Sequence, residues 1–292
     1  MLDNRFAIGI RCHQISTEES RIYNCLQDNF GINKDDIFFI VDDSKTGKCY
    51  GVNNNVVSLS EYTEEKKLNL PNKFGWLCGD LFYYAFKSRV DRDIYWLLEP
   101  DIDFGRNCKN IFLDLKNNDM DFIAPRFGPA NPNGYWTKTG LNISENVYSC
   151  SFPITRMSKE AISICEEHRI KSFSSKSNSQ CPNDETFVST ILMKNNLKCS
   201  DLVLMSGLNF SCFSTTIPLL NTSIKNANHI YHPFLPWEDY LAKFQSRFEP
   251  TLRNGTYSNF ITKSLVGLSK EQLLKISELI GISIKEDLKI KK

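Results

Sequence analysis

FAIGIRCHQISTEESRIYNCLQDNFGINKDDIFFIVDD, residues 6–43, sets the fold class. Phe6, Ile8 and Ile10 alternate with small residues, the period-two pattern of a strand. Ser16-Thr17-Glu18-Glu19 then reads as a capping box, with Ile22, Leu26 and Phe30 at helical spacing behind it. A second strand follows over Ile37 to Val41 and runs into Asp42-Asp43-Ser44. Strand, helix and strand within about 40 residues open a parallel, doubly wound sheet. No G-x-G-x-x-G follows the first strand and no G-x-x-x-x-G-K-[ST] occurs, which argues against a dinucleotide fold and a P-loop kinase.

Val56 to Leu59 reads as a short strand, and Phe74 to Lys87 as a helix with Trp76, Phe82, Tyr83 and Phe86 inward. Ile94 to Leu98 is a continuous apolar run of strand length, as expected of a central strand covered on both faces. Met120 to Ala124 repeats it. Residues 44–55 and 128–146 read as loops, Tyr148 to Ile154 as a strand and Ser158 to His168 as a helix. Residues 171–183 read as a mobile polar stretch, and Asp184 opens a further helix. From Ser269 an amphipathic helix carries Leu273, Leu274, Ile276 and Ile280 and ends in Lys289-Ile290-Lys291-Lys292.

The chain of 292 residues is 41% hydrophobic, enough to bury a real core. Lys and Arg number 35 against 34 Asp and Glu, a balance that excludes a general nucleic-acid binder. The ten cysteines include no C-x-x-C pair, so neither a zinc ribbon nor a thioredoxin-like site is written here, and a reducing compartment is expected. Neither a secretory signal nor a membrane-spanning stretch is read, so the expected location is cytoplasmic.

The chemistry concentrates in Tyr95-Trp96-Leu97-Leu98-Glu99-Pro100-Asp101-Ile102-Asp103-Phe104-Gly105. Three carboxylates at alternate positions follow a buried strand, and in an extended chain they point the same way. Ligands of open α/β sheets bind at the carboxyl ends of strands. Carboxylates packed together call for a cation, and Mg²⁺ or Mn²⁺ carrying a diphosphate is the natural one.

This run resembles the D-x-D motif of GT-A glycosyltransferases, which binds a metal and the diphosphate of a sugar nucleotide. Asp101 with Asp103 gives a literal D-x-D, Glu99 with Asp101 an E-x-D variant, and Asp101 is common to both. The resemblance implies a GT-A-like, mostly parallel α/β sheet flanked by helices. It covers roughly residues 5–235, giving a catalytic domain over 1–240 and a helical extension over 241–292. It implies donor contacts at Asp42, Asp43, Asp80, Glu99 and Asp101, with Arg11 facing a phosphate, and His232 as a third metal ligand beside Asp101 and Asp103. Pro182-Asn183-Asp184-Glu185-Thr186-Phe187 resembles the acidic helix start of inverting members, where a carboxylate deprotonates the acceptor hydroxyl; Glu185 is the first choice and Asp184 the second.

The implied partners are a nucleotide sugar, a UDP-sugar first, and a glycan or lipid-linked acceptor in bacterial surface-polysaccharide or lipopolysaccharide assembly. The basic amphipathic tail adds peripheral membrane contact as an alternative to packing on the protein. A nucleotidyltransferase of similar architecture would carry a Gly/Lys/Arg-rich loop after the first strand, which residues 11–17 lack. A non-catalytic sugar-binding protein would use the aromatic loop around Tyr135 and Trp136.

Overall fold

The computed structural model describes residues 6–45, 55–70, 74–108, 110–174, 182–214, 217–220 and 226–290. They fall into two compact units, one built from stretches within 1–100 and 109–208, the other from 101–108 and 209–292.

The first unit is the α/β sheet that the opening strand, helix and strand predict. Its strands are β1 (Phe6–Cys12), β2 (Ile37–Val41), β3 (Val56–Ser58), β4 (Ile94–Leu98), β6 (Phe122–Ala124), β9 (Ile154–Ser158) and β10 (Cys199–Asp201), in the order β10-β6-β9-β4-β1-β2-β3. β1 pairs in parallel with β2 and β4, β2 with β3, and β6 with β10. β9 alone among them runs antiparallel, between β4 and β6. A small ribbon of β7 (Gly128–Pro129) and β8 (Tyr148–Ser149) stands apart from the sheet.

The helices follow from local signals. α1 (Thr17–Asp28) starts at the expected capping box: Ser16 Oγ accepts from Glu18 N–H, and Glu19 accepts from Ser16 N–H at 2.9 Å. α2 (Leu59–Glu65), α3 (Phe74–Leu77), α4 (Asp80–Arg89), α5 (Ile111–Asp114), α6 (Tyr135–Gly140), α7 (Lys159–Ser174), α8 (Asp184–Lys194) and α9 (Leu202–Ser206) complete the unit. All five residues of β4 are buried because both faces are covered. Tyr95 meets Phe86 of α4 edge-on at 5.2 Å, while Trp96 on the opposite face meets Phe112 at 5.0 Å. Gly9 lets α4 this close, since a Cβ there would stand 2.9 Å from the Phe86 ring. α4 and α7 pack together, and α7 packs in turn on α8.

Several expectations need correction. The single helix over 74–87 is two, because Gly79 donates its N–H to the Asp184 carboxylate rather than to a helical carbonyl. The strand expected over 148–154 ends at Ser149, and the sheet strand lies beyond Pro153, which has no N–H to give a ladder. The loop over 128–146 contains α6. α7 runs on to Ser174. Residues 46–54, 175–181 and the Trp76 side chain, for which a loop, a mobile stretch and inward packing were expected, lie outside the described residues.

The second unit pairs β5 (Asp103–Phe104) antiparallel with β12 (Ile230–Tyr231), and β11 (Leu219–Leu220) in parallel with β13 (Phe234–Leu235). Three helices follow, α10 (Trp237–Arg253), α11 (Tyr257–Ser264) and α12 (Lys270–Ile290). α10 buries one stripe at helical spacing, Tyr240, Phe244 and Phe248, with rings stacked at 6.1 and 5.7 Å. Phe260 of α11 packs on Phe244 at 5.2 Å, and Ile276 of α12 joins this core at 1% exposure. The apolar stripe read in the tail is therefore divided, with Ile276 inside and Leu274 60% exposed. No helix among the described residues is long and apolar enough to cross a membrane.

Phe244→Ala removes the centre of this aromatic stack and should cost about 3–5 kcal/mol of unfolding free energy. Urea unfolding checks this, and a loss below about 1 kcal/mol would show that the stack does not hold the helices together.

Candidate functional site

β1, β2, β3 and β4 are parallel, so their carboxyl ends share one edge of the sheet, and the acids expected there are there. Asp42 and Asp43 follow β2, and Glu99 follows β4. Each is matched separately. Asp42 accepts the Ser44 hydroxyl at 2.6 Å and stands 3.3 Å from His13 Nδ1. Asp43, 2% exposed, accepts from Ser58 Oγ at 2.7 Å and Ser60 N–H at 3.1 Å. Burial pushes its carboxyl up, but the hydrogen bonds from Ser60 and Ser58 prevail and hold it below the ordinary range.

Glu99 forms an ion pair with Arg11, whose guanidinium also lies 3.5 Å from Asp184 and about 6 Å over the rings of Phe82 and Phe152. Glu99 N–H is held by Pro153 O at 2.8 Å. Arg11 thus sits at the strand end where a phosphate contact was expected, between two carboxylates.

Asp184 and Glu185 open α8. Asn183 caps it, its Oδ1 accepting from Thr186 N–H at 3.3 Å and its amide donating to Glu185 at 3.1 Å. The two acids differ in setting: Asp184 is 4% exposed and Glu185 is partly exposed. Asp184 accepts N–H groups from Gly79 at 3.1 Å and Glu185 at 2.8 Å. Burial pushes its carboxyl up to about 7, against the pull of Arg11 and with the charges of Glu185 and Asp80 adding to the rise. A Cβ at Gly79 would collide with both Arg11 and Asp184, so the glycine admits this close approach. Asp80, the next residue, is fully buried and takes both its oxygens to Arg169.

Where the chain passes into the second unit, Pro100 changes the geometry of the acidic run. The stretch over Pro100–Asp101 is a turn, so the uniform extended chain that would align Glu99, Asp101 and Asp103 is not kept. Asp101 instead pairs with His232, Oδ1 to Nε2 at 3.4 Å. Its carbonyl accepts from Phe234 N–H at 2.7 Å, which fixes the turn against the chain that carries the histidine. His232 is 3% exposed, with Phe213 against its ring at 5.0 Å. Asp103 lies in β5 opposite Tyr231, is 3% exposed, and adds to the upward push that burial gives the Tyr231 hydroxyl. Burial lowers Lys243 of α10, against the pull of Asp101.

His13, Ser58, Ser60, Gly79 as a contact, Arg169 and Lys243 were not expected from the sequence. Only Gly79, beside the flagged Asp80, left a trace in the sequence. Arg169 falls just past the helix expected over Ser158 to His168, and only the packing of α4, α7 and α8 gives it a role.

No family model matches the chain, and no curated protein does. Among solved structures it is similar to the galactosyltransferase LgtC in complex with donor and acceptor sugar analogs, at 10% identity and TM-score 0.36, over 91% of this chain and 98% of that one. It is also similar to a glycosyltransferase involved in the glycosylation of the major capsid of PBCV-1, at 9% identity and TM-score 0.33, over 67% and 81%. A third is CMP:2-keto-3-deoxy-manno-octonic acid synthetase complexed with CTP, at 9% identity and TM-score 0.35, over 68% and 88%. At these scores the likenesses define neither a family nor an activity for this chain.

The raised carboxyl of Asp184 links stability to pH. Its folded value lies near 7 and its ordinary value is 3.8, so its contribution is fully present below about 3.8 and is lost as pH rises through about 7. The unfolding free energy of Asp184→Asn relative to wild type should therefore rise between pH 4 and pH 8, by about 1.4 kcal/mol for each pH unit between those two values. A difference flat across that range in denaturant melts would show that Asp184 ionises normally.

Proposed function

We propose that the protein is a metal-assisted glycosyltransferase of the GT-A type, moving a sugar from a nucleotide donor to a glycan or lipid-linked acceptor. The observation that supports this most is the Asp101–His232 pair. Two ligands of an octahedral cation at about 2.1 Å stand about 3 Å apart. The 3.4 Å between Asp101 Oδ1 and His232 Nε2 is close to that, and carboxylate with imidazole is a donor set that Mn²⁺ accepts. Asp101 and His232 would hold the ion, with Asp103 as the further carboxylate of the same segment. A divalent ion there supplies positive charge against a diphosphate leaving group.

The other roles belong to the chain's own groups. Asp42 and Asp43, at the end of β2, are assigned to the nucleoside, whose hydroxyls and base can donate to them. Arg11, already placed between Glu99 and Asp184, is assigned to a phosphate, since a guanidinium recognises phosphate and carboxylate with the same fork. Glu185 is assigned as the acceptor base, because it is the more exposed of the two acids opening α8 and a base must reach the hydroxyl it deprotonates. Asp184 is the buried anchor beside it. A carboxylate base suits inversion at the anomeric carbon, and surface-polysaccharide assembly is the proposed setting.

The test is a thermal-shift panel of nucleotide sugars with and without Mn²⁺, since a ligand of the native state raises its stability by mass action. One donor should raise the melting temperature only with Mn²⁺, and Asp101→Ala should lose that shift. With the same donor, Glu185→Gln should keep the shift and lose about 10²–10⁴-fold in turnover. A panel without any Mn²⁺-dependent shift would overturn the proposed function.

A further inference from the structure

The one fully buried ion pair among the described residues is not at the sheet edge but beneath α8. Asp80 and Arg169 are both 0% exposed. Arg169 Nε donates to Asp80 Oδ2 at 2.7 Å and Nη2 to Oδ1 at 2.9 Å, while the Tyr84 hydroxyl donates to Oδ2 at 2.6 Å. The remaining nitrogen, Nη1, donates to Pro182 O at 3.1 Å, and the guanidinium lies 3.5 Å from the centre of the Phe187 ring. Pro182 leads into the first turn of α8 and Phe187 closes it, so one side chain grips that turn from both ends. From the other partner's side, Gly79, next to Asp80, donates its N–H to Asp184.

Taking two charges out of water is costly, and a well-packed apolar pair is often as stable or more so. Stability alone therefore does not account for this pair. Geometry does, because a bidentate fork with a third bond to Pro182 fixes direction as well as distance. We propose that Asp80 and Arg169 are positioning residues, fixing where Asp184 and Glu185 stand relative to Arg11. Asp80, expected from sequence to touch the donor, acts here through Arg169 and Gly79. The inference rests on the reading of Glu185 as acceptor base for its catalytic part only.

The charged groups acting on Asp184 are Arg11 from β1, Glu185 beside it and Asp80 from α4, and Asp80 is itself paired with Arg169 of α7. Since Asp80's charge raises the Asp184 carboxyl, its removal should lower it. The experiment is a ¹³C-carboxyl NMR titration of the full chain labelled at aspartate, with Asp184 assigned by its loss in Asp184→Asn. Asp80→Asn leaves Arg169 buried and unmatched and can fail to fold. The double variant Asp80→Leu/Arg169→Met removes both charges and keeps the volume.

In whichever of these variants keeps the native circular dichroism, the Asp184 midpoint should fall below its wild-type value. With the donor that the thermal-shift panel finds, kcat should drop at least tenfold while donor KM stays within about twofold. A folded variant with the wild-type midpoint, or with wild-type kcat, overturns the proposal. If no donor is found, the midpoint alone decides, and a lowered midpoint there upholds the positioning of α8 while the glycosyl-transfer reading fails separately.

Discussion

Carboxylates gathered at the carboxyl ends of parallel strands repel one another and lose hydration as the sheet closes, so each must be matched by a donor, a cation or a proton. In the first unit the acids at the strand ends and those opening α4 and α8 are all matched. Asp43 takes hydroxyl and backbone donors, Asp42 a serine and a histidine, Glu99 an arginine, and Asp80 a buried guanidinium. Asp184 shares Arg11 with Glu99 and holds its proton up to about neutral pH. The glycine at 79, the break between α3 and α4 and the placement of α7 against α8 all serve these matches.

Asp101 meets the same constraint in the second unit by other means. Its neighbour is an imidazole, whose nitrogen is a ligand type suited to a divalent ion. Arginine repels a metal ion; neutral imidazole recruits one. Under the proposed function, Asp101 is the acid that shares a cation with the substrate.

Much of this was legible in the chain itself. The period-two run in β1, the capping box at Ser16 and the fully apolar β4 predicted the α/β sheet, because those signals are local and each has a single strong reading. The acids at 42, 43 and 99 were placed at strand ends for the same reason. The expectation that 99, 101 and 103 align was lost at Pro100, which turns the chain where a strand would continue. The strand expected over 148–154 stopped at the first residue of β9 because Arg156, wholly buried and donating to Met120 O and Asn118 O, interrupts the apolar run with a residue that normally marks a surface. Arg169 escaped notice for the same cause. Burial of a charge is decided by its partner, and Asp80 lies 89 residues away.

The central claim is that Asp101 and His232 are metal ligands. Pulsed electron paramagnetic resonance of Mn²⁺ added to the protein with a nucleoside diphosphate tests it most directly, because a coordinated imidazole nitrogen leaves its own modulation. One bound Mn²⁺ per chain is expected, with a directly coordinated nitrogen that disappears in His232→Gln and weaker binding in Asp101→Asn. Bound Mn²⁺ whose nitrogen modulation is absent, or survives His232→Gln, would contradict the account.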